Sequence, residues 1–246
     1  MPHMTVRYSM LQTQTIRGFE STAYAYRGGD IVWLGDDAVT EHPRNGHRPW
    51  QPPALHCDPV RLQAGAAICL AQLEQHPCKG LLLWLLGQAL PFPLNHAQGR
   101  FDAIRDALRA NDLAAFEAAA LRVLGLGHGL TPSGDDFVGG ILFALHHAPR
   151  PQWRSAMPGL HSRIRAAAAV STNIISAALL DDLMYGASYS VLHQLLAALQ
   201  TKHPPVIEEA TAQLLRLGAT SGADMLAGLL LALTATTHYS TQDLPL

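Results

Sequence analysis

One feature constrains this chain more than any other: a helical segment that occurs twice. Residues 133–145 read SGDDFVGGILFAL and residues 221–233 read SGADMLAGLLLAL, with seven of thirteen positions identical. Abundant Ala and Leu inflate matches along an apolar face. They do not account for the shared Ser-Gly, the Asp two residues on, and the Gly four beyond that. Each copy follows a stretch of helical periodicity that runs into glycine, at Gly125 and Gly218. The predicted unit is therefore helix, glycine turn, helix, used twice.

Both copies open with Ser-x-x-Asp, a capping-box pattern in which the serine oxygen takes an orphan backbone N–H and the acid reaches back. Such a cap is worth roughly 0.5 to 2 kcal/mol and accounts for Ser221 and Asp224 without a ligand. The first copy holds more than a cap requires. Gly125, Gly127 and Gly129 at alternate positions precede Thr131-Pro132-Ser133-Gly134, and each glycine costs backbone entropy. A glycine-rich stretch feeding a helix N-terminus aims several N–H donors and the positive dipole end at one place, which suits phosphate or carboxylate. Gly127, Gly129 and Gly134 are the candidate amide donors, Thr131 and Ser133 the candidate hydroxyl donors, and Ser221 and Gly222 their counterparts. No Lys-Ser/Thr follows the glycines and no strand precedes them, so neither a Walker loop nor a dinucleotide fingerprint is present.

Asp135 and Asp136 oppose an anion there. A carboxylate about 4 Å from a bound anion costs on the order of 4 kcal/mol at an effective dielectric near 20, more than the roughly 0.3 to 2 kcal/mol the helix dipole returns. Helical spacing offers a way out: Asp136, Gly140, Phe143 and His147 share one face while Asp135 points about 100° away. The equivalent face of the second copy carries Asp224 and Gly228. An acid with glycine one turn later leaves a notch open to a ligand or to another helix. Asp136 and Asp224 are the candidate catalytic residues, and Asp135 is a candidate ligand contact.

The remaining polar clusters are weaker. His128 lies within the turn, His146-His147 before Pro149 ends a helix, and Ser171-Thr172-Asn173 with Ser176 forms a polar seam in an alanine-rich helix. No nucleophile elbow, zinc helix or Cys-His pair is present, and no cofactor or resident metal is expected.

Outside the repeat, β-branched and aromatic residues around 22–26 and 31–34 flank a Gly-Gly turn, as two short strands would. Five prolines between positions 42 and 59 mark a linker. Helical periodicity follows at 59–75, 100–110, 113–124, 134–147, 160–180, 188–200, 205–217 and 222–234. The expected fold is α+β: a β-rich unit with its linker over 1–58 and a larger helical domain over 59–246. A net charge of -2 with 15% charged residues leaves no basic face for nucleic acid and no polybasic membrane patch. The apolar runs at 80–86 and 226–233 are far shorter than the roughly 20 residues a membrane crossing needs, and read as buried helix segments. Three cysteines without C-x-x-C spacing and no secretory start fit a reducing cytoplasm. Much apolar side chain with little charge predicts an oligomer.

The string from Gly125 to Asp136, GLGHGLTPSGDD, resembles the AllH family, whose signature is close to G-x-G-x-G-L-T-P-S-G-D-D followed by an apolar helix. The Ser221-Gly222-x-Asp224 copy and the N-terminal segment with Gly28-Gly29 are also similar to it. His128 occupies a variable position of that signature. The resemblance implies a subunit of an oxamate carbamoyltransferase, converting oxalurate and phosphate to oxamate and carbamoyl phosphate. Its partners would be a small anionic substrate (phosphate, carbamoyl phosphate or a small carboxylate) and other carbamoyltransferase subunits. Common carbamoyltransferases carry a Ser-Thr-Arg-Thr-Arg phosphate loop; the nearest string here, Ser171-Thr172-Asn173, lacks both arginines. Two alternatives stand beside this: a non-catalytic assembly subunit, and a hydrolase using Asp135 and Asp136 on a divalent metal.

Overall fold

The computed structural model describes residues 55–235, together with the backbone of two short strands, β1 (Ala25–Gly28) and β2 (Ile31–Leu34). The strands pair antiparallel, Tyr26 opposite Trp33, and among the described residues with no other strand. Of the expected linker over 42–59, residues 42–54 lie outside the described residues.

From residue 55 onward every regular element is helical, so the described structure is all-α and the expected α+β class is overturned. A lone pair of four-residue strands supplies no sheet face on which a layer of helices could rest. The apolar residues that build the core instead recur at helical spacing from Leu62 to Ala235.

Ten α-helices follow: α1 (Pro59–Leu73), α2 (Leu81–Leu85), α3 (Gln98–Arg109), α4 (Leu113–Leu121), α5 (Ser133–His147), α6 (Met157–Ser171), α7 (Ile174–Met184), α8 (Ser190–Thr201), α9 (Pro204–Leu215) and α10 (Ser221–Thr234). Several starts are written locally. Asp58 accepts from the amides of Val60 and Arg61 ahead of Pro59, Asp112 from that of Ala115, and Pro204 opens α9. These are the standard devices for satisfying or removing orphan donors at a helix start.

The expected helix over 160–180 is two helices. Thr172 is extended, and Asn173 caps α7 by accepting from the Ile175 and Ser176 amides. The apolar period runs through both helices, so periodicity alone hides the corner. An asparagine that can bond the next turn's amides favours a fresh helix start over continuation.

The two repeats form the centre. Ser133 to Leu145 of α5 and Gly222 to Leu233 of α10 are buried without a break, and a helix apolar on all sides belongs inside. They cross at paired glycines. A methyl on Gly140 would lie 2.1 Å from the Met225 carbonyl oxygen, and one on Gly228 would lie 2.0 Å from that of Phe137. Phe137 and Met225 are equivalent residues of the repeat, so the crossing is reciprocal and the copies are related by an approximate two-fold axis. Around this pair, α7 covers α5, α1 and α2 cover α10, and α8 and α9 pack against α1. Trp84, Phe101 and Phe137 form an aromatic cluster with centroids 5.5 to 5.9 Å apart.

Candidate functional site

The turn ahead of α5 is shaped by close approach. Gly125, Gly127 and Gly129 all have positive φ, at 74°, 124° and 96°, a region costly to other residues. At Gly125 the need is double, because a methyl there would sit 2.0 Å from the Ser171 carbonyl oxygen. Asn173 Nδ2 donates to the Leu130 carbonyl at 2.9 Å and ties the turn to the α6–α7 corner.

Part of the turn's donor set is spent within the protein. Gly125 N donates to Asp135 Oδ1, Leu126 N to Val123 O, Gly134 N to Leu126 O, and the amides of Asp135 and Asp136 to Pro132 O. Among the described residues, no acceptor engages the amides of Gly127, His128, Gly129, Leu130, Thr131 or Ser133. The usable donors thus lie ahead of the helix and not within its first turn. Gly134 and Gly222 are packing glycines: each would place a methyl 1.9 Å from a carbonyl oxygen of the preceding helix or its end, Val123 and Leu214 respectively. Their amides bond the equivalent carbonyls of Leu126 and Leu217. The two turns differ in length, positions 127–133 against 218–221, three residues more in the first copy.

Ser133 and Ser221 do not cap. The N-cap positions are Pro132 and Thr220, neither making a side-chain cap bond. The serines sit one residue inside the helices and reach across the two-fold axis instead: Ser221 bonds Asp136, and Ser133 bonds Asp224. Thr131 Oγ1 lies 2.7 Å from Ser221 Oγ and also bonds Asp136. Thr220 takes the matching place beside Asp224.

The three acids have different environments. Asp135 faces α7, where its Oδ2 accepts from Thr172 Oγ1 at 2.5 Å and Ser176 Oγ at 2.6 Å while Oδ1 takes the Gly125 amide at 2.7 Å. Every lone-pair direction that matters is used by the protein, and Asp135 reads as the strut of the turn. Asp136 and Asp224 face each other. Asp224 Oδ1 accepts the Leu81 amide at 2.7 Å, at the start of α2 where Gly80 leaves room for it. Asp136 Oδ2 and Asp224 Oδ2 have no partner, with the residues 5% and 0% exposed. Burial first, then the facing Asp224, raises the Asp136 carboxyl well above the usual carboxylate range, against the Ser221 and Thr131 hydroxyls. Burial likewise lifts Asp224 to about 6, opposed by the Leu81 amide, the Ser133 and Thr220 hydroxyls and the Lys79 charge.

The structure therefore gathers Thr131, Ser133, Asp136, Ser221 and Asp224 at one buried centre, with Gly127 and Gly129 in the turn above it. Gly134, Gly222 and Asp135 serve the frame. Sequence reasoning missed Gly80, Leu81 and Thr220; the only local signal was a glycine opening the apolar run at 80–86. Asp135 and Asp136 do not converge on one point, as a shared metal would require. Among the described residues, no group of three or more His, Cys, Asp or Glu side chains is arranged to hold a metal. No described helix is long and apolar enough to cross a membrane. A small cavity lies at the far end of α5 and α10, against Ala144, Ala148, Arg150 and Ala232, away from the acids.

The class the fold and site define is a duplicated helical unit with an acid pair buried on its axis, entered by a glycine turn. Residues 123–233 match the AllH family model, described as oxamate carbamoyltransferase subunit AllH. That match begins in the glycine turn and ends in α10, so it takes in both copies of the repeat. Neither a curated protein nor a solved structure matches the chain.

Proposed function

We propose that this chain acts as a subunit of an oxamate carbamoyltransferase, converting oxalurate and phosphate to oxamate and carbamoyl phosphate together with other subunits. One observation carries the reading: a run of amides without protein acceptors, Gly127 to Thr131 and Ser133, leads into the helix that carries Asp136, whose free carboxyl oxygen is buried as is that of Asp224. Phosphate or a substrate carboxylate takes the amides, which the positive-φ turn preorganises, and the Thr131 and Ser133 hydroxyls turn to it from the acids they otherwise bond. Asp136 and Asp224 orient the carbamoyl group through their unpartnered oxygens. Donors held in place where charge develops on the transferred group supply the catalytic contribution.

Calorimetric titration of inorganic phosphate and carbamoyl phosphate into the wild type, Ser133→Ala and Thr131→Val tests this. A lost hydrogen bond to a charged group is worth about 1.5 to 3 kcal/mol, so each variant should bind at least about tenfold more weakly. Equal affinity in all three proteins removes the turn as the anion site. Gly134→Val is not a useful probe, because its side chain would collide with the Val123 carbonyl whatever the ligand.

A second reading, a non-catalytic assembly subunit, is favoured by apolar side chains at the α6–α7 corner and on the turn: Val170 is 86%, Ile174 70% and Leu130 49% exposed. Purifying the chain alone separates the two. A monodisperse protein that binds phosphate supports the first; aggregation relieved only by co-expressed subunits, with no anion affinity in the assembly, supports the second.

A further inference from the structure

We propose that Asp136 and Asp224 hold one proton between them at neutral pH, carried on Asp136, so that the buried end of the site presents a neutral carboxyl beside a carboxylate. The geometry argues for it. The reciprocal approach of Gly140 and Gly228 brings the two helices nearly into backbone contact one turn beyond the acids, and Ser221 of α10 bonds Asp136 while Ser133 of α5 bonds Asp224, so that each carboxyl reaches the opposite helix. Both residues are more than nine-tenths buried, and each keeps one oxygen that no donor reaches.

Like charges held this way inside a protein do not both persist; one carboxyl takes a proton, as in other paired-acid sites. The surroundings decide which. Asp224 has the Leu81 amide at 2.7 Å and the Lys79 charge in its favour. Asp136 has only the Ser221 and Thr131 hydroxyls, and its charged neighbours are Asp224 and Asp135, both acidic. Among the described residues, the other elements packed on the pair present no further charge to it: the α6–α7 corner and α7 offer the Thr172 and Ser176 hydroxyls, both engaged by Asp135. The α2 side offers Lys79 and the Leu81 amide.

A neutral Asp136 removes the objection that a carboxylate beside the turn would repel an anion. Its O–H can donate to a substrate oxygen, while ionised Asp224 accepts from an N–H. That use rests on the anion site proposed above; the protonation itself does not, and it is measured without any substrate.

Infrared spectroscopy of the unliganded full chain in heavy water tests it. At neutral pH the wild type should show the carbonyl stretch of an undissociated, buried carboxylic acid, and Asp136→Asn should lose that band. In Asp224→Asn, with the facing charge gone, the band should titrate away at lower pH than in the wild type. Thermal melts give a second readout. Because the folded state holds the Asp136 proton above the unfolded carboxyl's range, wild-type stability falls as pH rises through the folded value. Asparagine has no proton to lose, so the melting temperature of Asp136→Asn should gain on the wild type as pH rises above the unfolded carboxyl's range, and level off once the folded value is passed. No undissociated-acid band in the wild type at neutral pH overturns the proposal. So does a band untouched by both substitutions, or one that vanishes on adding magnesium chloride, which would put a cation where we place the proton. Should Asp136→Asn fail to fold, the wild-type band and the Asp224→Asn titration still decide.

Discussion

Alanine at Gly140 or Gly228 should cost the protein at least about 3 kcal/mol of stability. For a domain of this size that corresponds to a fall of roughly 6 to 12 °C in melting temperature. A Cβ at either site would lie 2.1 or 2.0 Å from a backbone carbonyl oxygen, and a helix backbone cannot retreat as the end of a flexible side chain can. The two helices must move apart, and the buried faces of α5 and α10 lose contact along their length. Alanine at Gly99 provides the control. It lies in α3 with no heavy atom within 4 Å of the added methyl, so there the substitution should stabilise by about 0.5 to 1 kcal/mol. Differential scanning calorimetry on the three variants settles the matter; indifference of the melting temperature at Gly140 and Gly228 would mean that the helices do not cross there.

The second large effect should come from Asp135→Ala. Three donors converge on this carboxylate, the Gly125 amide and the Thr172 and Ser176 hydroxyls, from the turn, the α6–α7 corner and α7. Truncation strands them at a residue that is 2% exposed. Stranded buried donors cost about 1 to 3 kcal/mol each, less where water can reach, so a loss of about 3 to 5 kcal/mol is expected. The damage should be spatially selective: amide hydrogen exchange should accelerate in the turn and at the start of α7, and little in α8 and α9. Adjacent acids thus behave oppositely, Asp135→Ala loosening the fold and Asp136→Asn tightening it at alkaline pH. Equal effects from both would contradict the assignment of frame to one and site to the other.

What the sequence made legible, and what it hid, divides along the range of the interactions. The repeat was readable because burial on every side of α5 and α10 leaves a dense apolar string, and the glycine notch leaves its mark at a fixed spacing from the acid. The separate directions of Asp135 and Asp136 followed from 100° per residue alone. Ser133 and Ser221 were misread as caps because a capping box is a local pattern. Their true partners lie in the opposite copy, and only the fold joins them. Gly134 and Gly222 were read as donors for the same reason; the carbonyls that demand them belong to Val123 and Leu214. The Leu81 amide that holds Asp224 is 143 residues away in sequence, with no local signal beyond Gly80. The strands carried a hairpin pattern, but a hairpin is not a fold class, and the apolar side chains that build the core belong to helices.

The reciprocal seating of α5 against α10 also bears on how the chain is made. As α5 leaves the ribosome its apolar surface has no permanent cover, and α6, α7, α8 and α9 must all be translated before the matching helix emerges. Until then the nascent protein carries a long greasy rod shielded only in part, by α7 along one side and by Trp84 and Phe101 around Phe137, a form exposed to aggregation and suited to chaperone capture. A chain interrupted anywhere before Ser221 would not be a smaller version of this protein; it would be a domain missing half of its own centre.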